Sequence, residues 1–177
     1  DYATYLSLQG HQVIAVDLVP AHIELLRAKV ARGETGALTA HVADARHLPM
    51  IADGSIDLVL SLGPFYHLQS AADRRQCFQE AMRLVKPGGI LAIAYLNRFL
   101  IAALSVKRDA TKANPNFLLP LFNTGLVQDD PNDWFGLSAY FATPQEMAAL
   151  VAEGGAILLD HIAIDGASKL IEDAVNA

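Results

Sequence analysis

Two acids stand where nucleoside chemistry would need them. Asp17 follows the apolar run Val13-Ile14-Ala15-Val16, and Asp44 follows a second run from Leu38 to Val42. A carboxylate at the end of a buried strand can accept two hydrogen bonds from ribose hydroxyls. That is the logic of nucleoside recognition at strand ends in open α/β sheets. For Asp17 the alternative is an acid at the start of the helix that opens at Pro20, favoured by the helix dipole. Asp44 can accept from an adenine exocyclic amine while a neighbouring backbone amide meets a ring nitrogen; its alternative is a turn aspartate. Two such acids at successive strand ends are a less accidental pattern than either alone. A third segment of the same kind, Leu62-Gly63-Pro64-Phe65-Tyr66-His67, follows the run Ile56-Asp57-Leu58-Val59-Leu60.

These positions need elements to hold them. Tyr2, Tyr5 and Leu6 fall at helical spacing, and Gly10 ends that helix. Val13 to Val16 predicts a buried strand. Pro20 sits where a first helical turn tolerates it, with Ile23, Leu26 and Val30 on the apolar face. Leu38 to Val42 and Ile56 to Leu60 predict the second and third strands, the latter after an Asp53-Gly54 turn. Ser70, with Asp73 three residues on, starts a helix that runs to about Val85 and stops at Lys86-Pro87-Gly88-Gly89. Those glycines permit a positive φ and a tight entry into a fourth strand from Ile90 to Tyr95. Thr143-Pro144-Gln145-Glu146 is a capping box with Pro at the first helical position, and Met147, Leu150 and Val151 follow on one face. Ala156 to Ile164 predicts a fifth strand, and Ala167 to Ala177 reads as helix or fray. Alternating strands and helices predict an α/β, Rossmann-like doubly wound, mostly parallel sheet with helices on both faces. Ligands in such sheets bind beyond the carboxyl ends of the strands.

Composition narrows the function classes. The 177 residues carry 53% hydrophobic and 18% charged side chains, enough for one globular core. Net charge is -6 at pH 7, which argues against a nucleic-acid groove, since phosphate binding needs clustered Lys and Arg. A single cysteine, Cys77, rules out an intrachain disulfide and suggests a reducing, cytoplasmic compartment. Gly88 to Val106 is apolar enough to suggest a membrane span, but Asn97 and Arg98 sit inside it. Arg at a bilayer centre costs about 2.5–3.5 kcal/mol. A buried strand followed by an apolar helix is the expectation there. His11, His22, His41 and His161 show no ligand spacing, and one cysteine makes no zinc site.

The run Asp44-Ala45-Arg46-His47-Leu48-Pro49, followed by Asp53-Gly54-Ser55-Ile56-Asp57-Leu58-Val59, resembles the middle motif of class I S-adenosylmethionine-dependent methyltransferases. Arg83-Leu84-Val85-Lys86-Pro87-Gly88-Gly89-Ile90-Leu91 is similar to the turn that feeds the fifth strand of that family. Leu62-Gly63-Pro64-Phe65-Tyr66-His67-Leu68 resembles a small-molecule branch, the type 11 methyltransferases. The likeness covers roughly Tyr2 to Leu96. It implies methyl transfer from S-adenosylmethionine to a small-molecule acceptor; Asp129, Asp130 and Asp133 argue against a nucleic-acid partner, and Asn97 and Arg98 against a membrane. It implies that Asp17, with Leu18 beside it, holds the ribose, Asp44 the adenine amine and Ala45 the adenine ring through its backbone. It implies that Leu62 offers its carbonyl to the methionyl ammonium.

The family pattern also places a strand and a glycine-rich loop before the helix at Tyr2, and further strands after Ile164. The expectation is a chain shortened at its start and at its end, as one partial domain over residues 1–177 whose full cofactor binding requires upstream residues. A base is needed only if the acceptor must lose a proton. His67 is the candidate for that role, or else it caps or packs the following helix start; Tyr66 positions an acceptor or forms an aromatic wall. Residues 98–141 hold five of the seven Phe, one Tyr and the single Trp, too aromatic for disorder. They form a substrate cap over an acceptor pocket, or else a satellite core or dimer contact. Two other readings stay open: a nicotinamide-dependent Rossmann oxidoreductase, since Asp17 suits that ribose as well, and an inactive, non-catalytic methyltransferase-fold fragment.

Overall fold

The computed structural model describes residues 2–127 and 139–164. The chain divides into two compact units, Asp1–Ala52 and Asp53–Ala177. Asp1, the segment with Asp129, Asp130, Asp133, Trp134 and Phe135, and the tail from Ala167 lie outside the described residues.

The first unit is a small βαβ layer. It runs α1 (Tyr2–Leu8), β1 (Val13–Asp17), α2 (Pro20–Ala31) and β2 (Leu38–Val42), each element where apolar period and turn residues predicted it. β1 and β2 are parallel, in register from Val13 opposite Leu38 to Asp17 opposite Val42. Ile23 and Leu26 on α2 bury against Leu38 and Ala40, with Ala3, Val13 and Ala15 packed around them. Val30, the third predicted face position, is exposed. Arg27 ties helix to strand by donating Nε and Nη2 to the Ala40 carbonyl at 3.0 and 2.8 Å.

The second unit pairs β3 (Ile56–Ser61) with β4 (Val85–Ile93), again in parallel. Between them come a four-residue turn of helix, α3 (Pro64–His67), and α4 (Ala71–Leu84), which Ser70 caps by accepting from the Ala72 amide. The fourth strand begins earlier than the predicted Ile90. Ile56 already pairs with Val85, and the register then jumps so that Leu58 pairs with Ile90. Lys86-Pro87-Gly88-Gly89 is therefore an irregularity inside the strand. Gly88 has φ +79°, and a Cβ on Gly89 would lie 2.9 Å from the Asp57 carbonyl oxygen. Only glycine tolerates both conditions.

The apolar stretch from Gly88 to Val106 resolves into the rest of β4 and helix α5 (Arg98–Arg108), as expected. A short 3₁₀ turn (Ala110–Lys112), α6 (Pro115–Thr124) and α7 (Pro144–Glu153) follow. Ile101, Ala102, Leu121, Ala139 and Phe141 form a core of their own, so part of the 98–141 aromatic content serves local packing. The Thr143–Glu146 capping box closes both ways, at 3.1 Å to the Glu146 amide and 2.7 Å to the Thr143 amide.

The strands are parallel and alternate with helices, as the Rossmann-like α/β expectation has it; among the described residues they pair as β1 with β2 and β3 with β4. One expectation needs correction. The predicted fifth strand over Ala156 to Ile164 is not a strand. Ile157, Leu159, Ile162 and Ile164 are strongly exposed. An apolar run becomes a strand only when a neighbour supplies the ladder for its amides and carbonyls, and no such neighbour exists among the described residues. No helix there is long and apolar enough to cross a membrane.

Candidate functional site

In the first unit both acids end neighbouring strands. The Ala43 amide donates to the Asp17 carbonyl at 3.1 Å, so the β1–β2 ladder extends one residue past β2 and Asp44 comes next. Asp17 Oδ1 accepts from the Val19 amide at 2.8 Å, and Oδ2 meets His22 Nδ1 at 3.0 Å. Partial burial is the largest influence on this carboxyl and pushes its pKa up, but the Val19 amide and His22 together outweigh it and hold it below the ordinary value. Leu18 is exposed beside it and Ala45 is half-buried.

Asp44 is more thoroughly engaged. Its Oδ1 accepts from the Arg46 amide at 2.9 Å, while Arg46 Nε lies 3.1 Å from each oxygen and Nη2 lies 2.6 Å from Oδ2. The His47 amide donates to the Asp44 carbonyl at 2.9 Å. The hydrogen bonds from Arg46 hold the Asp44 carboxyl below its usual range, opposed by partial burial. Asp44 thus also satisfies its alternative reading as a turn aspartate, accepting from the amide two residues on; Asp17 makes the same kind of turn onto Val19, the N-cap of α2, and no side chain caps that helix. A carboxylate has about four lone-pair positions, so an Asx turn alone does not stop it accepting from a ligand. His22 and Arg46 were assigned no role from the sequence. A His five residues after a strand-end acid, and an Arg two residues after one, were the available signals.

In the second unit the β3 strand ends at Ser61, whose carbonyl accepts from the Ala94 amide at 2.9 Å. Leu62 and Gly63 lead into α3. The Tyr66 hydroxyl reaches back and donates to the Leu62 carbonyl at 2.7 Å. His67 is exposed, with its ring 4.7 Å from that of Tyr66 and tilted by 56°. Tyr140 joins this turn through its amide, which donates to the Tyr66 carbonyl at 2.9 Å. Its ring carries the Arg74 guanidinium at 3.4 Å, and Arg74 also donates to the Leu68 and Gln69 carbonyls. Past the end of β4, the Tyr95 hydroxyl and His161 Nε2 stand 2.6 Å apart. The structure therefore brings Asp17 with Asp44 in one unit, and Leu62 with Tyr66 and His67 in the other. No group of three or more His, Cys, Asp or Glu side chains among the described residues could hold a metal ion.

As to chemistry, the predicted contacts offer acceptors: two carboxylates and a main-chain carbonyl. Ribose hydroxyls, an adenine amine and a primary ammonium are all donors, so the residues fit an adenosyl amino-acid ligand in type. At Asp44 a ligand would have to share or displace Arg46.

Residues 1–93 match a family model described as "Methyltransferase domain". Among curated proteins no relative matches the chain. Solved structures with a similar fold include a SAM-dependent methyltransferase of Methanosarcina mazei (21% identity, TM-score 0.65, covering 85% of this chain and 71% of that one). The CcbJ methyltransferase of Streptomyces caelestis is similar over 85% of this chain and 66% of its own (15% identity, TM-score 0.59). A Haloferax volcanii methyltransferase, in complex with the Trm112 methyltransferase activator, is similar over 86% of this chain and 57% of that one (20% identity, TM-score 0.54). The chain thus spans roughly three-fifths to seven-tenths of the length of these structures.

Proposed function

The chain belongs to the methyltransferase domain family, and on that premise we propose that its protein transfers a methyl group from S-adenosylmethionine to a small-molecule acceptor. The cofactor supplies a methyl already activated on a sulfonium. The protein's tasks are then to hold it, align the acceptor and exclude water. In this reading Asp17, with Leu18 beside it, receives the ribose hydroxyls, Asp44 the adenine amine and Ala45 the ring through its backbone. The Leu62 carbonyl receives the methionyl ammonium. His67 is the group that would take a proton from an acceptor that must lose one, and its exposure at the end of α3 leaves its ring open to water for releasing it. Residues 98–141 form the acceptor cap of a single domain over residues 1–177. The net charge of -6 favours a small molecule over nucleic acid, and the buried thiol of Cys77 fits a reducing, cytoplasmic setting.

The observation that carries this reading is the pair of acids at adjoining strand ends, linked by the Ala43 amide on the Asp17 carbonyl. Its test is a titration of the chain with S-adenosylhomocysteine, followed by calorimetry and by amide chemical shifts. Asp17→Asn should weaken binding roughly tenfold, since a charged hydrogen-bond acceptor is lost. NAD serves as the competing dinucleotide. Binding that ignores both Asp17→Asn and Asp44→Asn, or tighter binding of NAD, would overturn the proposal.

A further inference from the structure

We infer that Tyr66 is a positioning residue for the cofactor's amino-acid end, acting through the Leu62 carbonyl; this rests on the proposal that Leu62 receives the ammonium. Leu62 lies just past the last residue of β3, where the regular ladder has stopped orienting its peptide plane. Helix α3 is only four residues long, too short to hold a conformation by its own hydrogen bonds. Outside contacts therefore fix this turn. Phe65 is fully buried, the Tyr140 amide donates to the Tyr66 carbonyl at 2.9 Å, and the Tyr66 hydroxyl donates to the Leu62 carbonyl at 2.7 Å.

The last of these bonds acts on the proposed ligand atom itself. A carbonyl oxygen has two lone pairs. With one taken by the tyrosine hydroxyl, the peptide plane cannot rotate freely, and the second lone pair keeps a fixed direction for one N–H of a cation. Tyr66 in turn is held by its main chain, through Tyr140, and by its ring, which rests against His67. A hydroxyl that served only to brace α3 would influence every ligand of the protein equally. One that aims the Leu62 carbonyl matters only to ligands bearing the ammonium.

Two probes separate these roles: S-adenosylhomocysteine, which has the amino-acid end, and methylthioadenosine, which has the same nucleoside and thioether without it. Each is titrated into the intact wild-type chain and into Tyr66→Phe, which removes only the hydroxyl, with near-ultraviolet circular dichroism confirming the fold. The expected result is a wild-type preference for S-adenosylhomocysteine that shrinks roughly fivefold in Tyr66→Phe, the scale of one hydrogen bond, with methylthioadenosine affinity unchanged. With both probes carried to millimolar concentration, a wild-type chain that binds them equally, or binds neither even there, overturns the Leu62 reading and this inference with it. A preference that survives intact in Tyr66→Phe overturns the role of Tyr66 and leaves Leu62 standing. An equal loss for both probes assigns the hydroxyl to bracing α3, which also overturns the inference.

Discussion

The Arg46 guanidinium spans both oxygens of Asp44, with Nε 3.1 Å from each and Nη2 2.6 Å from Oδ2. Together with the Arg46 amide on Oδ1, one residue supplies donors to the whole carboxylate. An adenine amine would reach Asp44 by sharing the carboxylate with that set or displacing part of it. Both side chains are 35% exposed, so the pair is a solvent-screened one of about 1 kcal/mol at most. Arg46→Ala should therefore tighten adenosine binding by up to about fivefold, measured by calorimetry. Weaker binding in the variant would mean that the guanidinium itself contacts the purine.

Acid should weaken the fold through the same two aspartates. Asp44 is held low by its hydrogen bonds from Arg46 against partial burial; at Asp17 partial burial pushes up, but the Val19 amide and His22 together prevail. A carboxyl whose folded pKa lies below its unfolded value stabilises the fold above the unfolded pKa. That stabilisation is lost as pH falls through the folded value. The contribution of both groups is thus complete above about pH 5 and disappears progressively below it. Urea unfolding should show Asp44→Asn less stable than wild type near about pH 6, with the gap narrowing progressively as pH falls below about 4. A gap that is independent of pH would refute the linkage.

The elements around these acids were legible in the sequence because each carries its own local signal. Pro20 opens α2, Ser70 caps α4, Thr143 and Glu146 box the start of α7, and short β-branched runs make β1 to β3. What could not be read locally was pairing. Val85 joins β3 even though Lys86-Pro87-Gly88-Gly89 looks like a break, because the ladder resumes beyond the irregularity. Ala156 to Ile164 has strand composition without a strand partner among the described residues. Nor could partners of side chains be foreseen. Arg98 counted in the sequence as a charge opposing membrane insertion, yet it is 4% exposed. Tyr66 reads in the sequence as an acceptor-positioning residue or an aromatic wall, and nothing local to it signals that its hydroxyl reaches the Leu62 carbonyl.

Arg98 should be the most costly charge in the second unit to remove. Its Nε donates to the Phe141 carbonyl and Nη1 to the Phe122 carbonyl, both at 2.9 Å, and Nη2 bridges the two Glu146 oxygens at 2.8 Å. One side chain thereby joins α5, α6, the strand-like segment around Phe141 and α7. Arg98→Met takes the Arg98 donors from the Phe141 and Phe122 carbonyls and from Glu146, whose carboxylate keeps the Thr143 amide, and should cost roughly 2–4 kcal/mol in urea unfolding. Arg98→Lys keeps the charge but loses the planar fork, so its loss should be intermediate. A neutral Arg98→Met would show that these carbonyls find other donors.

Gly154 closes α7 against Phe78 of α4, and the reason for glycine there is space rather than backbone freedom. Its φ of -79° suits any residue. A Cβ, however, would lie 2.1 Å from Phe78 Cε1 and 2.6 Å from Cδ1, and Phe78 is fully buried with no room to retreat. Gly154→Ala should therefore destabilise by about 1–3 kcal/mol through overpacking. Phe78→Leu should cost a comparable amount by leaving part of the ring's volume empty. If the clash is the cause, the double variant recovers stability, because the smaller leucine makes room for the added methyl. Its loss should then fall short of the sum by at least about 0.5 kcal/mol. Strict additivity in unfolding experiments would show that α7 and α4 do not meet at this contact.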